Sequence, residues 1–241
     1  MKEELFTVDS DGIQICGVIH IPGQVPAPCI ICSHGLFSSK DSPKFIALAE
    51  YFARSGFTAI RYDHRGCGTS EGDIGDTTVT GRLHDLASVR VFAREHPSVE
   101  RTSGLCGSSM GGFISLLAAG GDPSFEAVVV WATPYKLRGQ KKDFDAEGYP
   151  LLKDSFYDDL KNYQPGDVLG KIKNCLVLHG QNDELVPVWH AEKNYECLSA
   201  PKKLEIFPGG DHRFMNEHDR QTAIRLSAEW FKQIVWRNSY E

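Results

Sequence analysis

The chain reads as an α/β protein built on a mostly parallel, eight-stranded sheet with helices on both faces. Three observations predict this. Short apolar runs alternate with helical patterns of 10–18 residues, the rhythm of strand–helix–strand crossovers. Several of those runs, such as Cys29 to Ser33 and Ala127 to Trp131, are apolar throughout, as expected for strands covered on both sides. The first two strands have no helix between them and are expected to pair antiparallel at one edge.

Taken in order, residues 5–10 and 13–21 predict strands joined by the hairpin dipeptide Asp11-Gly12. Pro22, Gly23, Pro26 and Pro28 mark a loop before the strand Cys29 to Ser33, which His34-Gly35 closes. Ser42 followed by Pro43 signals a helix start, and Phe45, Leu48, Ala49 and Phe52 follow at helical spacing until Gly56. Phe57 to Tyr62 is the next strand and runs into Asp63-His64-Arg65-Gly66-Cys67-Gly68. A helix over about 79–96 places Leu83, Leu86, Val89 and Ala93 on one side. Strands at Thr102 to Cys106, Ala127 to Trp131, Cys175 to Leu178 and Lys203 to Phe207 continue the series. Helices follow at 110–120, from Pro187 to about Leu198, and over about 219–236, the last with Ala223, Leu226, Trp230 and Ile234 inward.

Residues 134–170 break the rhythm. They are polar and aromatic, with Tyr135, Phe144, Tyr149, Phe156, Tyr157 and Tyr163 among charges, and predict only short helices. A connection of that length in a compact domain is functional more often than plain. One domain over 1–241 is expected, with 134–170 as a lid.

Composition excludes several classes. The 241 residues support one sizeable core. Net charge is −6, and no basic cluster exceeds the pairs Lys141-Lys142 and Lys202-Lys203, which gives nucleic-acid binding no support. No apolar stretch has the length of a signal peptide or a membrane span, so no membrane association and a cytoplasmic location are expected. Seven cysteines, an odd number, fit reduced and mostly buried thiols. Cys29 and Cys32 form a CxxC, but within a strand residues three apart face opposite sides, which suits neither zinc nor a redox disulfide. No HExxH or comparable spacing occurs among the histidines His20, His84, His96, His190 and His218. No metal and no cofactor are expected.

The chemistry centres on Gly107-Ser108-Ser109-Met110-Gly111, between a strand and a small-residue helix. That context predicts a nucleophile elbow, a tight turn that holds a serine hydroxyl clear of the backbone. With Ser109 at its centre, Gly107 and Gly111 take the two positions where a Cβ would clash. With Ser108 at its centre those positions fall to Cys106 and to Met110, which is too large. A serine needs a base, and the base an orienting acid. Asp183 and Glu184 follow one later strand, and His212 follows the next. The order Ser, Asp, His differs from the two common protease orders. All these residues, with His34, Asp63 and Thr133, fall at or just past the carboxyl ends of strands, where such sheets bind ligands.

At this point the chain resembles the α/β-hydrolases, and more narrowly the small lid-bearing serine esterases, feruloyl and cinnamoyl esterases and serine-aminopeptidase-like hydrolases among them. The matching features are HG at 34–35, DHRGCGTSEG at 63–72, GSSMGG at 107–112, HGQNDELVP at 179–187 and GGDH at 209–212, in the family's order. The resemblance implies Ser109 as nucleophile, His212 as base and Asp183, in preference to Glu184, as orienting acid. It implies an oxyanion hole from the backbone N–H groups of Leu36 and Met110. It makes 63–72 a structural turn at the rim, although Asp63, Arg65, Gly66 and Gly68 could by themselves suggest an anion loop. Asp211 reads as a turn residue, and His34 and His179 as structural. Tyr135, Tyr149 and Phe156 are candidate substrate contacts within the lid. The implied activity is hydrolysis of carboxylic esters with small to medium acyl groups. Thioesters, short peptide amides and carbon–carbon bonds are alternatives for the same residues, and a non-catalytic binding module is a further one. The expected partner is a small-molecule ester, and a monomer or a homodimer is compatible with the sequence.

Overall fold

A computed structural model describes residues 1–137 and 152–236. Eight strands form one sheet in the order β1-β2-β4-β3-β5-β6-β7-β8. They are β1 (Lys2–Ser10), β2 (Ile13–Ile21), β3 (Ala27–Ser33), β4 (Thr58–Tyr62), β5 (Val99–Ser108), β6 (Ala127–Trp131), β7 (Cys175–Gly180) and β8 (Lys202–Phe207). β2 runs antiparallel to both β1 and β4, and the remaining pairs are parallel. The β1–β2 turn has Asp11 and Gly12 at φ 56° and 81°, successive left-handed residues that match the twist of a two-residue hairpin.

The helices are α1 (Pro43–Arg54), α2 (Val79–Glu95), α3 (Met110–Gly121), α4 (Asp154–Leu160), α5 (Gly166–Leu169), α6 (Trp189–Cys197) and α7 (Glu217–Val235), with a 3-10 turn at Ile74–Asp76. One core layer joins α1 and α7 to the sheet through Phe45, Phe52, Phe57, Trp131 and Phe231; the other holds α2, α3 and the short α4. Cys29 belongs to one layer and Cys32 to the other, as strand alternation requires. Each fully buried phenylalanine of α1 contributes roughly 1.5–3 kcal/mol by leaving water. The expected inward face of α2 is buried at Leu86, Val89 and Ala93, with Leu83 half-buried. On α7, Ala223, Trp230 and Ile234 are buried, and Leu226 is partly so.

Two features of the sheet position the site. β4 and β5, the next strands in the chain after β3, flank it on opposite sides, which makes the end of β3 and β5 the switch point where a crevice opens. Register then aligns the strand ends, with Ser33 opposite Gly107, Ser108 opposite Trp131, and Trp131 opposite Leu178.

The segment after β4 is a turn whose first residues, Asp63 and His64, are buried. Asp63, fully buried, accepts from Lys40 N (2.7 Å), Lys40 Nζ (2.8 Å) and Thr69 N (2.9 Å). Gly68 has φ 53°, and a Cβ there would lie 2.1 Å from the Asp63 carboxylate. These bonds use Asp63 as a brace, in keeping with the structural reading of 63–72. Behind it, Asp85 of α2 accepts from Ser10 Oγ (3.0 Å) and from Arg65 N, Nε and Nη2 at 2.8–2.9 Å, tying the hairpin to α2. Burial would raise the Asp85 carboxyl, but His64 and the Arg65 donors hold it down at about 2. A carboxylate with a depressed folded value stabilises the fold above its unfolded value of 3.8, and that stability is lost as pH falls from there toward 2.

Asp85→Ala leaves this network without its acceptor and is expected to cost about 3–5 kcal/mol in urea unfolding at pH 7. A loss below about 1 kcal/mol would contradict the network's role.

Candidate active site

Ser109 sits at φ 54°, ψ −122°, between the end of β5 and the first turn of α3. Few residues other than glycine adopt such a conformation, and it costs on the order of 1–3 kcal/mol. Two hydrogen bonds hold it: Ser109 N donates to Trp131 O (2.8 Å), and Phe113 N donates to Ser109 O (3.1 Å). The flanking glycines are required by contact. A Cβ on Gly107 would lie 2.3 Å from Gly111 O, and one on Gly111 would lie 2.0 Å from Ser33 O and 2.5 Å from His34 O. The small-residue frame that selected Ser109 is therefore a packing frame. Ser108 turns its hydroxyl elsewhere and accepts from Lys44 Nζ at 2.7 Å.

The His34-Gly35 turn lies against the serine, since a Cβ on Gly35 would be 3.4 Å from Ser109 Cβ. His34 orders this turn. Its Nε2 accepts from His64 N (3.0 Å), so Nδ1 carries the proton and donates to Gly35 O (2.7 Å). Burial and the nearby His64 and Arg82 keep it well below the ordinary histidine range. Both nitrogens are engaged, so His34 has no capacity left to act as a base. Leu36 O accepts from Arg82 Nη2 (2.9 Å) and the Cys67 thiol (3.6 Å), which fixes the loop from behind. Among the described residues, neither the Leu36 N–H nor the Met110 N–H has an acceptor. For Met110 this is the normal orphan donor of a helix start.

Asp183 and His212 come from the loops after β7 and β8 and meet. His212 Nδ1 donates to Asp183 Oδ2 at 2.8 Å, with Oδ1 at 3.0 Å. Asp183 also accepts from Leu185 N (3.0 Å) and Val186 N (2.6 Å). Burial alone would raise its carboxyl, but His179, His212 and Val186 N hold it well below the carboxylate range. It is an anion throughout the neutral range. The rival acids are engaged elsewhere. Glu184 accepts from the backbone N of His212 (3.2 Å), not from the ring. Asp211 caps its own turn through Arg213 N (2.7 Å) and Met215 N (3.1 Å). Among the described residues the Ser109 hydroxyl makes no hydrogen bond, so the structure joins Asp183 to His212 but not His212 to Ser109. Such bonds often tighten only when substrate is bound.

His179 has a part that its sequence context did not reveal. Its Nε2 donates to Val186 O (2.7 Å) and lies 3.3 Å from Asp183 Oδ2, on the carboxylate that His212 also uses. The motif HGQND puts this histidine four residues before the acid, a spacing that could have been read as contact. Of the candidate lid contacts, Tyr135 is half-buried near the start of α5. Phe156 is 1% exposed and packs edge-on against Tyr157, 5.4 Å between centroids, as a core residue. Tyr149 lies outside the described residues.

The family model described as serine aminopeptidase, S33, matches residues 24–155, more than half the chain. The chain belongs to the serine aminopeptidase S33 family. Its relatives within reach of sequence include YqkD of Bacillus subtilis, 29% identical over 255 residues that cover 97% of this chain and 81% of that one. The mitochondrial palmitoyl-protein thioesterase ABHD10 of mouse is 26% identical over 224 residues, covering 82% and 73%. Among solved structures, Est1E from Butyrivibrio proteoclasticus with ferulic acid bound superposes with a TM-score of 0.86 at 21% identity, over 95% of this chain and 99% of that one. Mouse ABHD10 does so with 0.78 at 22%, over 95% and 99%. These likenesses establish the α/β-hydrolase fold for this S33-family chain. Among the described residues no helix is long and apolar enough to cross a membrane.

Gly111→Ala should destabilise the fold by about 1–3 kcal/mol, through the clash with the β3 carbonyls, as read by urea unfolding. A change within 0.5 kcal/mol would contradict the close approach.

Proposed function

We propose that this protein is a serine hydrolase that cleaves carboxylic esters of small to medium acyl groups through an acyl-enzyme on Ser109. One observation carries the reading: the hydrogen-bonded Asp183–His212 pair reaches the same sheet rim as a strained serine flanked by two acceptor-free amides. In this reading His212 Nε2 removes the Ser109 proton as Oγ attacks the carbonyl carbon. The resulting oxyanion takes hydrogen bonds from Leu36 N–H and Met110 N–H, each worth roughly 2.7–4 kcal/mol in the transition state. His212 then passes the proton to the leaving alkoxide, and water enters by the reverse sequence to release the acid. Asp183 keeps the imidazole with its proton on Nδ1 and stabilises the imidazolium.

The substrate side is apolar. Leu185 and Met215 stand 42% and 69% exposed on the two loops that carry Asp183 and His212, and Trp189, at the start of α6, stands 44% exposed. Leu36 and Phe37 add partly buried apolar surface at the β3 end. The stretch 134–170 is read as a cap over this rim, with Tyr135 and Tyr149 as candidate substrate contacts. Thioester hydrolysis is the second reading, favoured by the likeness to proteins named palmitoyl-protein thioesterases.

The test is a panel of aryl esters, acyl-CoA thioesters and aminoacyl anilides, with Ser109→Ala and Asp183→Asn beside the parent. Esters are expected to turn over fastest. Ser109→Ala should fold normally and retain less than a few per cent of the rate, and Asp183→Asn should lower kcat by up to ~10⁴-fold. Retained turnover in Ser109→Ala defeats the assignment, and preference for thioesters selects the second reading. Because His212 must be neutral to accept a proton, the rate should fall toward acid pH. A flat profile from about pH 5 to 8 counts against it.

A further inference from the structure

Arg82, near the start of α2, is fully buried and reaches the loop after β3. Its Nε donates to Thr77 Oγ1 (3.0 Å), and its Nη2 donates to Leu36 O (2.9 Å) and to the Cys67 sulfur (3.5 Å). Among the described residues no carboxylate lies within ion-pairing distance of the guanidinium, and Nη1 has no hydrogen-bond partner. Burying a cation without a paired anion is costly, and an apolar side chain of similar volume would often cost less. No ion pair offsets that cost here. What the buried charge does instead is hold a backbone carbonyl of the loop beside the serine.

Leu36 joins two peptide planes. In the first, Gly35 O and the Leu36 N–H share a trans peptide and point in opposite directions. His34 Nδ1 donates to that Gly35 O (2.7 Å), but it rides on the same turn. The second plane carries Leu36 O, and there the anchor is Arg82, set on a helix packed into the core layer beneath the sheet. The Cys67 thiol, a weaker donor, adds to it at 3.6 Å. With both carbonyls held from behind, the Leu36 N–H has a fixed direction and no acceptor of its own among the described residues. The turn it stands on lies against the elbow, since a Cβ on Gly35 would be 3.4 Å from Ser109 Cβ.

We propose that Arg82 is a positioning residue for the oxyanion hole: by holding Leu36 O it keeps the Leu36 N–H aimed at the oxygen that becomes negative as Ser109 attacks. The inference rests on the reading of Ser109 as nucleophile and of the Leu36 N–H as oxyanion donor. A donor fixed in advance needs no reorganisation as charge develops, and a donor free to swing loses that advantage. The 63–72 turn gains a task beyond bracing the rim, because Cys67 shares Leu36 O with Arg82. An Arg82 that only fastened α2 to the β3 loop would slow every substrate alike.

The experiment measures kcat and KM of the full chain on an aryl ester and on its thionoester, in which sulfur replaces the carbonyl oxygen and accepts hydrogen bonds weakly. The variants are Arg82→Met, Arg82→Lys and Thr77→Val, with Ser109→Ala as control and urea unfolding of each. Arg82→Met should lower kcat on the ester by roughly 10- to 100-fold with little change in KM, less than the roughly 10²–10³-fold that loss of a whole oxyanion donor costs. The thionoester should lose much less, so the ester-to-thionoester ratio of kcat/KM falls. Arg82→Lys keeps a donor for Leu36 O and should restore most of the ratio. Thr77→Val removes only the Nε acceptor and should lower the ratio by a smaller amount; if Arg82→Met does not fold, this variant decides. A ratio unchanged from the parent, even with a slower rate on both substrates, overturns the inference, as does a Lys variant no better than Met. Ester turnover that survives Ser109→Ala overturns the nucleophile reading and this inference with it. Turnover that depends on Ser109 with an unmoved ratio overturns the inference alone.

Discussion

The close approach of three backbones governs this site. The end of β5, the first turn of α3 and the end of β3 meet with no room for a Cβ at Gly107 or Gly111. That contact forces the chain to reverse within one residue, and Ser109 takes the left-handed φ. The strain costs on the order of 1–3 kcal/mol and persists because the surrounding sheet overdetermines it. Ser109 N is tied to Trp131 O, the β3 turn is tied by His34, and Leu36 O is tied by Arg82.

Around that contact the site is a set of carbonyls and carboxylates that are already satisfied, leaving a few donors that are not. Asp63 and Asp85 use their oxygens on Lys40, Thr69, Arg65 and Ser10, and so brace the rim without entering it. Asp183 uses its oxygens on Val186 N, His179 and His212, which leaves His212 oriented. Two amides, at Leu36 and Met110, remain unpaired among the described residues.

Much of this was legible in the sequence because it rests on local rules. Asp11-Gly12 fixes the hairpin, Ser42-Pro43 starts α1, and the Gly107/Gly111 frame selects Ser109 over Ser108. Apolar runs such as Ala127 to Trp131 mark the buried strands, and their register gathers the loop residues on one rim. What escaped was whatever depends on side chains that meet across long stretches of chain. Lys44 and Ser108 are 64 residues apart, and Arg82 reaches Leu36 O from 46 residues away. Position 82 shares the buried stripe of α2 with Leu86, Val89 and Ala93, so its burial follows from helical spacing, but nothing local in the sequence names Leu36 O as its partner. Phe156 reads in sequence like any other lid aromatic; only its burial in the core layer with α2 and α3 shows it to be part of the core.

The most direct measurement is a rapid acid quench during turnover of a slowly deacylating aryl ester, followed by peptide mass mapping. A burst of released phenol is expected, matched by one acyl group per chain on Ser109. An acyl group on Ser108 or on a cysteine, or turnover with no acyl adduct at all, would contradict it.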